Sequence, residues 1–167
     1  ANLEADQSHY TVTITRDGET EPVKQTTLER FKRKYPDALL ECELDESATV
    51  LADCNYLSEA LYNLLTNAWE ANVAAGHADR PIRLATRRER LYTVLEVSDD
   101  GGGITKEEQK KIFEPFYSSK NSNTSWGMGL YHVRTIVRAH VGSLRVESKP
   151  GRGTSFFVLL PKYVQDR

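Results

Sequence analysis

In the segment LSEALYNLLTNAWEAN, residues 57–72, two asparagines of the mid-helix, Asn63 and Asn67, lie one helical turn apart. They share a line with Glu59 and Glu70. Charged residues on a solvated helix face need no explanation. Asparagine is different, because it is a mediocre helix former whose amide prefers caps and turns. Further along, SDDGGGI (98–104) sets an acid, Asp99, ahead of three consecutive glycines. Glycine lets a ligand approach the main chain, and a carboxylate beside such a slot can accept a hydrogen bond from an amino group such as an adenine N6 amine. WGMGL (126–130) puts glycines before a helix, whose first N–H groups can meet an anion such as phosphate. GRGTSF (151–156) reads as a tight turn between strands. FEPFYSSK (113–120) reads as an apolar plug or as a lid hinge carrying the cation Lys120. Taken singly, a glycine triplet is a plain turn as readily as a ligand slot. WGMGL matches neither the P-loop pattern nor the dinucleotide fingerprint.

These residues need elements to hold them. Leu57, Leu61, Leu64, Leu65 and Ala68 recur at i, i+4, i+7, i+8 and i+11, the apolar stripe of a core helix. Asp53 stands where its N-cap should be. Residues 9–16 alternate like a strand, followed by a turn at Asp17-Gly18. Residues 26–34 form a short polar helix that stops before Pro36. Residues 38–44 and 49–53 read as a strand pair, or as a strand and a short lead-in. Pro81 opens a hairpin, 82–87 and 91–98, with the charged TRRER (86–90) at its turn. Thr105 caps a short helix over 105–113. Residues 118–127 are Ser/Asn-rich and read as a loop. Leu130, Val133, Ile136 and Val137 face inward on a helix over 129–140 that Gly142 punctuates. Residues 143–148 and 154–161 are strands. Hairpins without regular βαβ units point to a mixed, mainly antiparallel sheet with helices on one face, a two-layer α/β sandwich.

The chain of 167 residues is 39% hydrophobic and 28% charged, with a formal net charge of -2. That suits one soluble domain and gives no basic field for a nucleic-acid partner. Cys42 and Cys54 have neither metal-site spacing nor the number for a disulfide framework, so both read as reduced thiols. No apolar run approaches the ~18 residues that cross a bilayer. No signal peptide is visible, and the chain starts at Ala1, as a fragment of a longer protein would.

The order of the motifs says more than any one of them. An asparagine-paired helix, Asp-x-Gly-x-Gly, a Phe/Pro segment, Gly-x-Gly-Leu and Gly-x-Gly-Thr follow one another along the chain. This order resembles the ATP-binding domain of sensor histidine kinases, type II topoisomerases, mismatch-repair ATPases and heat-shock chaperone ATPases. The histidine-kinase version fits best. NLLTNAWEA is similar to its N box, DDGGGI to its first glycine box and FEPFYSSK to its F box. GMGLYHVRTIV and GRGTSF are similar to its second and third glycine boxes. The resemblance covers about residues 38–161, with 1–37 as a lead-in or part of the same domain and 162–167 as a tail.

The resemblance implies a Bergerat-type ATP-binding fold and a role for each residue. Asn67 would hold Mg²⁺ through its amide oxygen, and Asn63 would support the metal or the phosphates. Neutral, hard oxygen donors suit Mg²⁺ completed by phosphate and water. Asp99 would read the adenine amine, with Gly101, Gly103 and Ile104 shaping the slot. Gly127, Met128, Gly129 and Leu130 would meet the phosphates, Thr154 would close the pocket, and Lys120 would reach in from the lid.

Hydrolytic relatives and anti-sigma-factor serine kinases tend to carry Glu at position 63, a possible general base. Asn63 cannot take a proton, and Glu59 lies a turn away. The resemblance therefore implies ATP held for transfer to a histidine. None of His9, His77, His132 and His140 has the setting of a phosphoacceptor. The histidine-bearing dimerisation helices are expected outside this chain, with a response regulator as the further partner. The expected fragment is monomeric and cytoplasmic, without membrane contact, from a homodimeric parent that a membrane anchor could hold. Two departures stand out. Glu70 replaces a frequent basic residue and leaves more of the phosphate to Lys120, and Ser125-Trp126 begin the second glycine box. A serine kinase of the anti-sigma type and a non-catalytic module of the same fold are the rival readings.

Overall fold

A computed structural model of the chain describes residues 13–16, 19–22, 24–45, 47–117 and 129–162. In chain order the elements are β1 (Thr13–Arg16), β2 (Glu19–Pro22), α1 (Lys24–Lys34), β3 (Leu40–Leu44), β4 (Thr49–Leu51) and α2 (Cys54–Ala74). Then come β5 (Ile82–Arg88), β6 (Tyr92–Asp99), α3 (Lys106–Gln109), α4 (Gly129–Ala139), β7 (Ser143–Ser148) and β8 (Thr154–Pro161).

Five strands form the main sheet in the order β3-β5-β6-β8-β7. β3 and β5 are parallel, and the other neighbours are antiparallel. The register separates the two faces. One row across the sheet is Arg83, Ser98, Ser155 and Glu147, and the next is Leu84, Val97, Phe156 and Val146. Side chains alternate at period two along a strand, so adjacent rows face opposite ways. The apolar row meets the helices. Leu57, Leu61, Leu64, Leu65 and Ala68 of α2 and Val133, Ile136 and Val137 of α4 join it in one cluster. Each fully buried Leu or Val there contributes roughly 1.5–3 kcal/mol. α1 adds Leu28 and Phe31, and Tyr35 bridges the Phe31 ring (5.2 Å) to Trp69 on α2 (6.0 Å). The result is the two-layer α/β sandwich, mixed and mainly antiparallel, that the motif pattern implies.

Local chemistry sets the helix starts. Asp53 Oδ1 accepts the N–H groups of Asn55 (2.9 Å) and Tyr56 (3.2 Å), capping α2. Thr105 and Glu108 form a reciprocal capping box on α3, at 3.2 and 2.7 Å. α3 is shorter than the expected 105–113. After it the N–H groups of Lys110 and Lys111 bond to carbonyls three residues back, a tighter winding that carries Ile112 into the core.

Three features differ from the sequence reading. β3 and β4 do not pair. β4 runs parallel to β1, and β1 pairs with β2, a strand the sequence does not announce. The Asp45 carboxylate accepts from both the N–H and the hydroxyl of Ser47, and this turn leads the chain out of the main sheet. The charged stretch 86–90 is not all turn. β5 continues to Arg88, and its arginines pair across it, Arg87 with Glu96 (3.1 Å) and Arg88 with Asp45 (3.2 Å). At the end of α4 the left-handed residue is Val141, at φ 59, one before Gly142. Among the described residues no helix is long and apolar enough to cross a membrane.

Candidate functional site

The site gathers at the end of β6. Asp99 is its last residue and is buried. Its Oδ1 accepts the N–H of Gly101 at 2.9 Å and that of Thr154, the first residue of β8, at 3.2 Å. Ser148, the last residue of β7, closes the group. Its hydroxyl accepts the Ile104 N–H (2.8 Å), donates to the Gly153 carbonyl (2.9 Å) and lies 2.8 Å from Thr154 Oγ1. The Gly151 N–H donates to the Gly102 carbonyl at 2.7 Å, so the first and third glycine motifs are bonded to one another. Five of the expected site residues, Asp99, Gly101, Gly103, Ile104 and Thr154, thus stand together.

Two glycines fix how close the neighbours come. A Cβ on Gly101 would lie 2.8 Å from Ala71 Cβ and 2.9 Å from its backbone, so the loop rests directly on α2. Gly103 has φ +72, and a Cβ there would lie 2.1 Å from the Lys149 carbonyl oxygen. Both positions exclude a side chain.

Ala71 lies one turn beyond Asn67, which brings the asparagine line to the same edge. Asn63 and Asn67 are half-buried, and among the described residues neither amide has a hydrogen-bond partner. Glu59 is engaged differently: Arg30 of α1 pairs with it at 2.6 Å while stacking over the Tyr62 ring at 3.9 Å. α4 lies against α2, and its end is clamped there. His140 Nδ1–H donates to the Ile136 carbonyl (2.7 Å), which leaves Nε2 to accept the Asp53 N–H (3.0 Å). Counting back from this contact, the 11 residues of α4 cover about 16 Å at helical rise. Gly129 and Leu130 stand at its start.

Phe113 packs edge-on against Phe156 at 6.2 Å, which seats the Phe/Pro motif on the apolar face of the sheet. Phe116 is exposed at φ 64. Lys120, Gly127 and Met128 lie outside the described residues, as do Ser125, Trp126 and His9. A hollow of about 440 Å³ reaches Asp99 and Thr154 from the polar row of the sheet, at Arg83 and Ser155, and takes in neither asparagine.

Asn72 is absent from the sequence-derived site, although it is fully buried (0% exposed). Its Oδ1 accepts the Asp100 N–H at 2.8 Å, and its amide N–H donates to the Arg80 carbonyl at 3.3 Å. His77 Nδ1–H donates to the Asp100 carbonyl at 2.5 Å. Arg83 forks onto the Asp100 carboxylate at 3.2 and 3.3 Å, and this hydrogen bonding raises the guanidinium pKa further. The available signal is positional: Asn72 lies four residues after Ala68 and seven after Leu65, so it continues the apolar stripe.

Can these residues hold a magnesium nucleotide? The donor chemistry fits. Among the described residues no group of three or more His, Cys, Asp or Glu side chains could cage a metal by itself. The uncommitted donors at the edge are neutral amide oxygens, which suit a cation whose other ligands are phosphate and water.

Comparison with known proteins shows the family. Residues 52–164 match the family model described as histidine kinase-, DNA gyrase B- and HSP90-like ATPase. The signal transduction histidine-protein kinase AtoS of Escherichia coli (strain K12) is 40% identical over 121 residues, 71% of this chain and 19% of AtoS. The signal transduction histidine-protein kinase/phosphatase MprB of Mycobacterium avium (strain 104) is 36% identical over 81% of this chain and 26% of MprB. The chain thus spans about a fifth to a quarter of these curated relatives. Among solved structures, the nucleotide-free catalytic domain of histidine kinase ThkA superposes at TM-score 0.72 with 26% identity, covering 84% of this chain and 90% of that one. The mycobacterial sensor histidine kinase MprB superposes at TM-score 0.67 with 27% identity, covering 84% and 92%.

Proposed function

Because the chain belongs to the family of histidine kinase-, DNA gyrase B- and HSP90-like ATPases, we propose that it is the ATP-binding catalytic domain of a sensor histidine kinase, with the domain itself over residues 38–161. In this reading it donates the γ-phosphoryl group of ATP to a histidine on a dimerisation helix outside this chain, and a response regulator receives it next. The parent acts as a homodimer.

The observation that carries the reading is that the glycine loop bonded to the buried Asp99 carboxylate rests on Ala71 of α2, one turn beyond Asn67, whose amide, like that of Asn63, has no hydrogen-bond partner among the described residues. Asp99 accepts the adenine amine while Oδ1 stays tied to Gly101 and Thr154. Gly101, Gly103 and Ile104 line the base. Asn67 holds Mg²⁺ and Asn63 supports it, while Lys120 and the backbone of Gly127, Met128, Gly129 and Leu130 take the phosphates. Bound Mg²⁺ would neutralise charge on the phosphates during transfer.

The two positions on α2 where a general base would stand are unsuited to hydrolysis. Asn63 cannot accept a proton, and Glu59 is paired with Arg30 at 2.6 Å. A histidine acceptor brings its own nucleophile, so a base is not required of this domain. The same facts weigh against a serine kinase.

Calorimetric titration of ATP with and without Mg²⁺ tests the reading on wild type and Asn67→Ala. Wild type binds ATP, more tightly with Mg²⁺, and Asn67→Ala loses the Mg²⁺ gain. Failure of wild type to bind would leave a non-catalytic module of the same fold. Binding indifferent to Asn67 would remove the metal from α2.

A further inference from the structure

We propose that Asn72 and His77 are positioning residues for nucleotide-base recognition, acting through Asp100 on the carboxylate of Asp99. The inference rests on the nucleotide reading of Asp99 and adds the residues that aim it.

The Asp99 carboxylate takes its direction partly from the Gly101 N–H of the glycine loop, so it is only as fixed as that loop is. Glycine makes the loop permissive, and a permissive loop leaves a recognition group in many orientations. Here the two peptide units around Asp100 are each held from α2 and the turn that follows it. The 99–100 unit is held through its N–H by Asn72 Oδ1 at 2.8 Å. The 100–101 unit is held through its carbonyl by His77 Nδ1–H at 2.5 Å, and its N–H is the Gly101 N–H that Asp99 Oδ1 accepts at 2.9 Å. Rotation of either unit would break a bond that also orients Asp99. The anchors are themselves fixed. Asn72 is fully buried, with its other amide end on the Arg80 carbonyl at 3.3 Å, and the His77 N–H bonds to the Asn72 carbonyl at 2.8 Å. The helix bearing the asparagine line and the loop bearing the base-reading acid are thus one rigid assembly. An apolar side chain at 72 would fill the same space without the acceptor, leaving the Asp100 N–H unsatisfied.

The test is base discrimination, which general loosening of the fold does not reproduce. ATP and inosine triphosphate share every phosphate contact, but inosine lacks the amine that Asp99 accepts. Wild type therefore binds ATP more tightly than inosine triphosphate. His77→Ala and Asn72→Ala bring the ratio of the two dissociation constants down by about tenfold, the loss of roughly one oriented hydrogen bond. Inosine triphosphate affinity stays within about twofold, because its phosphate contacts are untouched. His77→Gln, which keeps an N–H donor, retains most of the wild-type ratio. Melting curves establish that each variant is folded. If Asn72→Ala does not fold, His77→Ala decides alone, since His77 is on the half-exposed turn. An undiminished ratio in folded His77→Ala, or equal losses for both nucleotides, overturns the positioning role while leaving the nucleotide reading intact. No preference for ATP in wild type overturns the reading of Asp99 and this inference with it.

Discussion

Asp99 Oδ1 accepts the N–H of Thr154 at 3.2 Å, across 55 residues of sequence, while also accepting that of Gly101 at 2.9 Å. One carboxylate oxygen therefore ties β6, the glycine loop and β8 together. Asp99→Asn can keep this tie through its amide oxygen, but its NH₂ then occupies the other carboxylate position and meets an adenine amine donor to donor. Asp99→Asn is expected to melt within a few degrees of wild type and to lose ATP affinity by at least about tenfold. Asp99→Ala leaves two N–H groups without their acceptor, at about 1–3 kcal/mol each, so it loses stability as well. Melting curves beside calorimetry check both. Equal stability of the two variants would contradict a structural role for Oδ1.

The three adjacent glycines are not equivalent. A Cβ at Gly102 meets nothing within 4 Å, whereas one at Gly101 meets the backbone of Ala71 at 2.9 Å and one at Gly103 meets the Lys149 carbonyl at 2.1 Å. Gly102→Ala is expected to change unfolding free energy by less than about 0.5 kcal/mol, the range of ordinary surface changes. Gly101→Ala and Gly103→Ala should each cost at least about 2 kcal/mol, since the obstacle is backbone that cannot rotate away. Urea unfolding of the three variants gives the order, and a costly Gly102→Ala would reverse it.

The sequence makes some of this legible for physical reasons. The α2 stripe, the Asp53 and Thr105 caps and the two hairpins are local patterns, and a strand-end acid before glycines is local too. The bonds of Thr154 to Asp99 and of Ser148 to Ile104 come from distant segments, so no local spacing announces them. Asn72 escapes because its position on the apolar face matters more than its residue type, and the eye goes to Asn63 and Asn67. β2 escapes because Glu-Thr-Glu-Pro has no apolar alternation. Arg87 and Arg88 look like turn residues until their partners Glu96 and Asp45 arrive across the sheet.

Asp45 supplies a pH dependence with a definite sign. Its carboxyl is held below the usual range, first by the Ser47 hydroxyl, then by the Ser47 N–H and by Arg88. A folded pKa below the unfolded one stabilises above the unfolded value, about 3.9, and that stabilisation vanishes as pH falls through the folded value. The stability difference between wild type and Asp45→Asn should be present at neutral pH and disappear on the acid side of the carboxylate range. Carboxyl carbon shifts followed by NMR check the direction. A midpoint for Asp45 at or above the usual value would contradict it.

Val141 offers a stabilising change. It ends the α4 turn at φ 59, with its N–H on the Arg138 carbonyl at 3.0 Å, and the following Gly142 N–H bonds to the Val137 carbonyl at 2.9 Å. This is the position that closes a helix in the left-handed region, where glycine is the usual occupant. A β-branched residue there is crowded against its own backbone, at about 1–2 kcal/mol for an ordinary L-residue. The side chain returns little, because Val141 is 81% exposed. Val141→Gly relieves the crowding and loses part of the gain to the greater freedom of the unfolded chain, about 0.5–1 kcal/mol. The expected net effect is a stabilisation of up to about 1 kcal/mol, read as a higher urea midpoint at unchanged slope. Val141→Ala, which keeps a Cβ, should gain less than glycine. If glycine lowers the midpoint, Val141 is supported by contacts that offset its strained backbone, and the end of α4 is better packed than its exposure indicates.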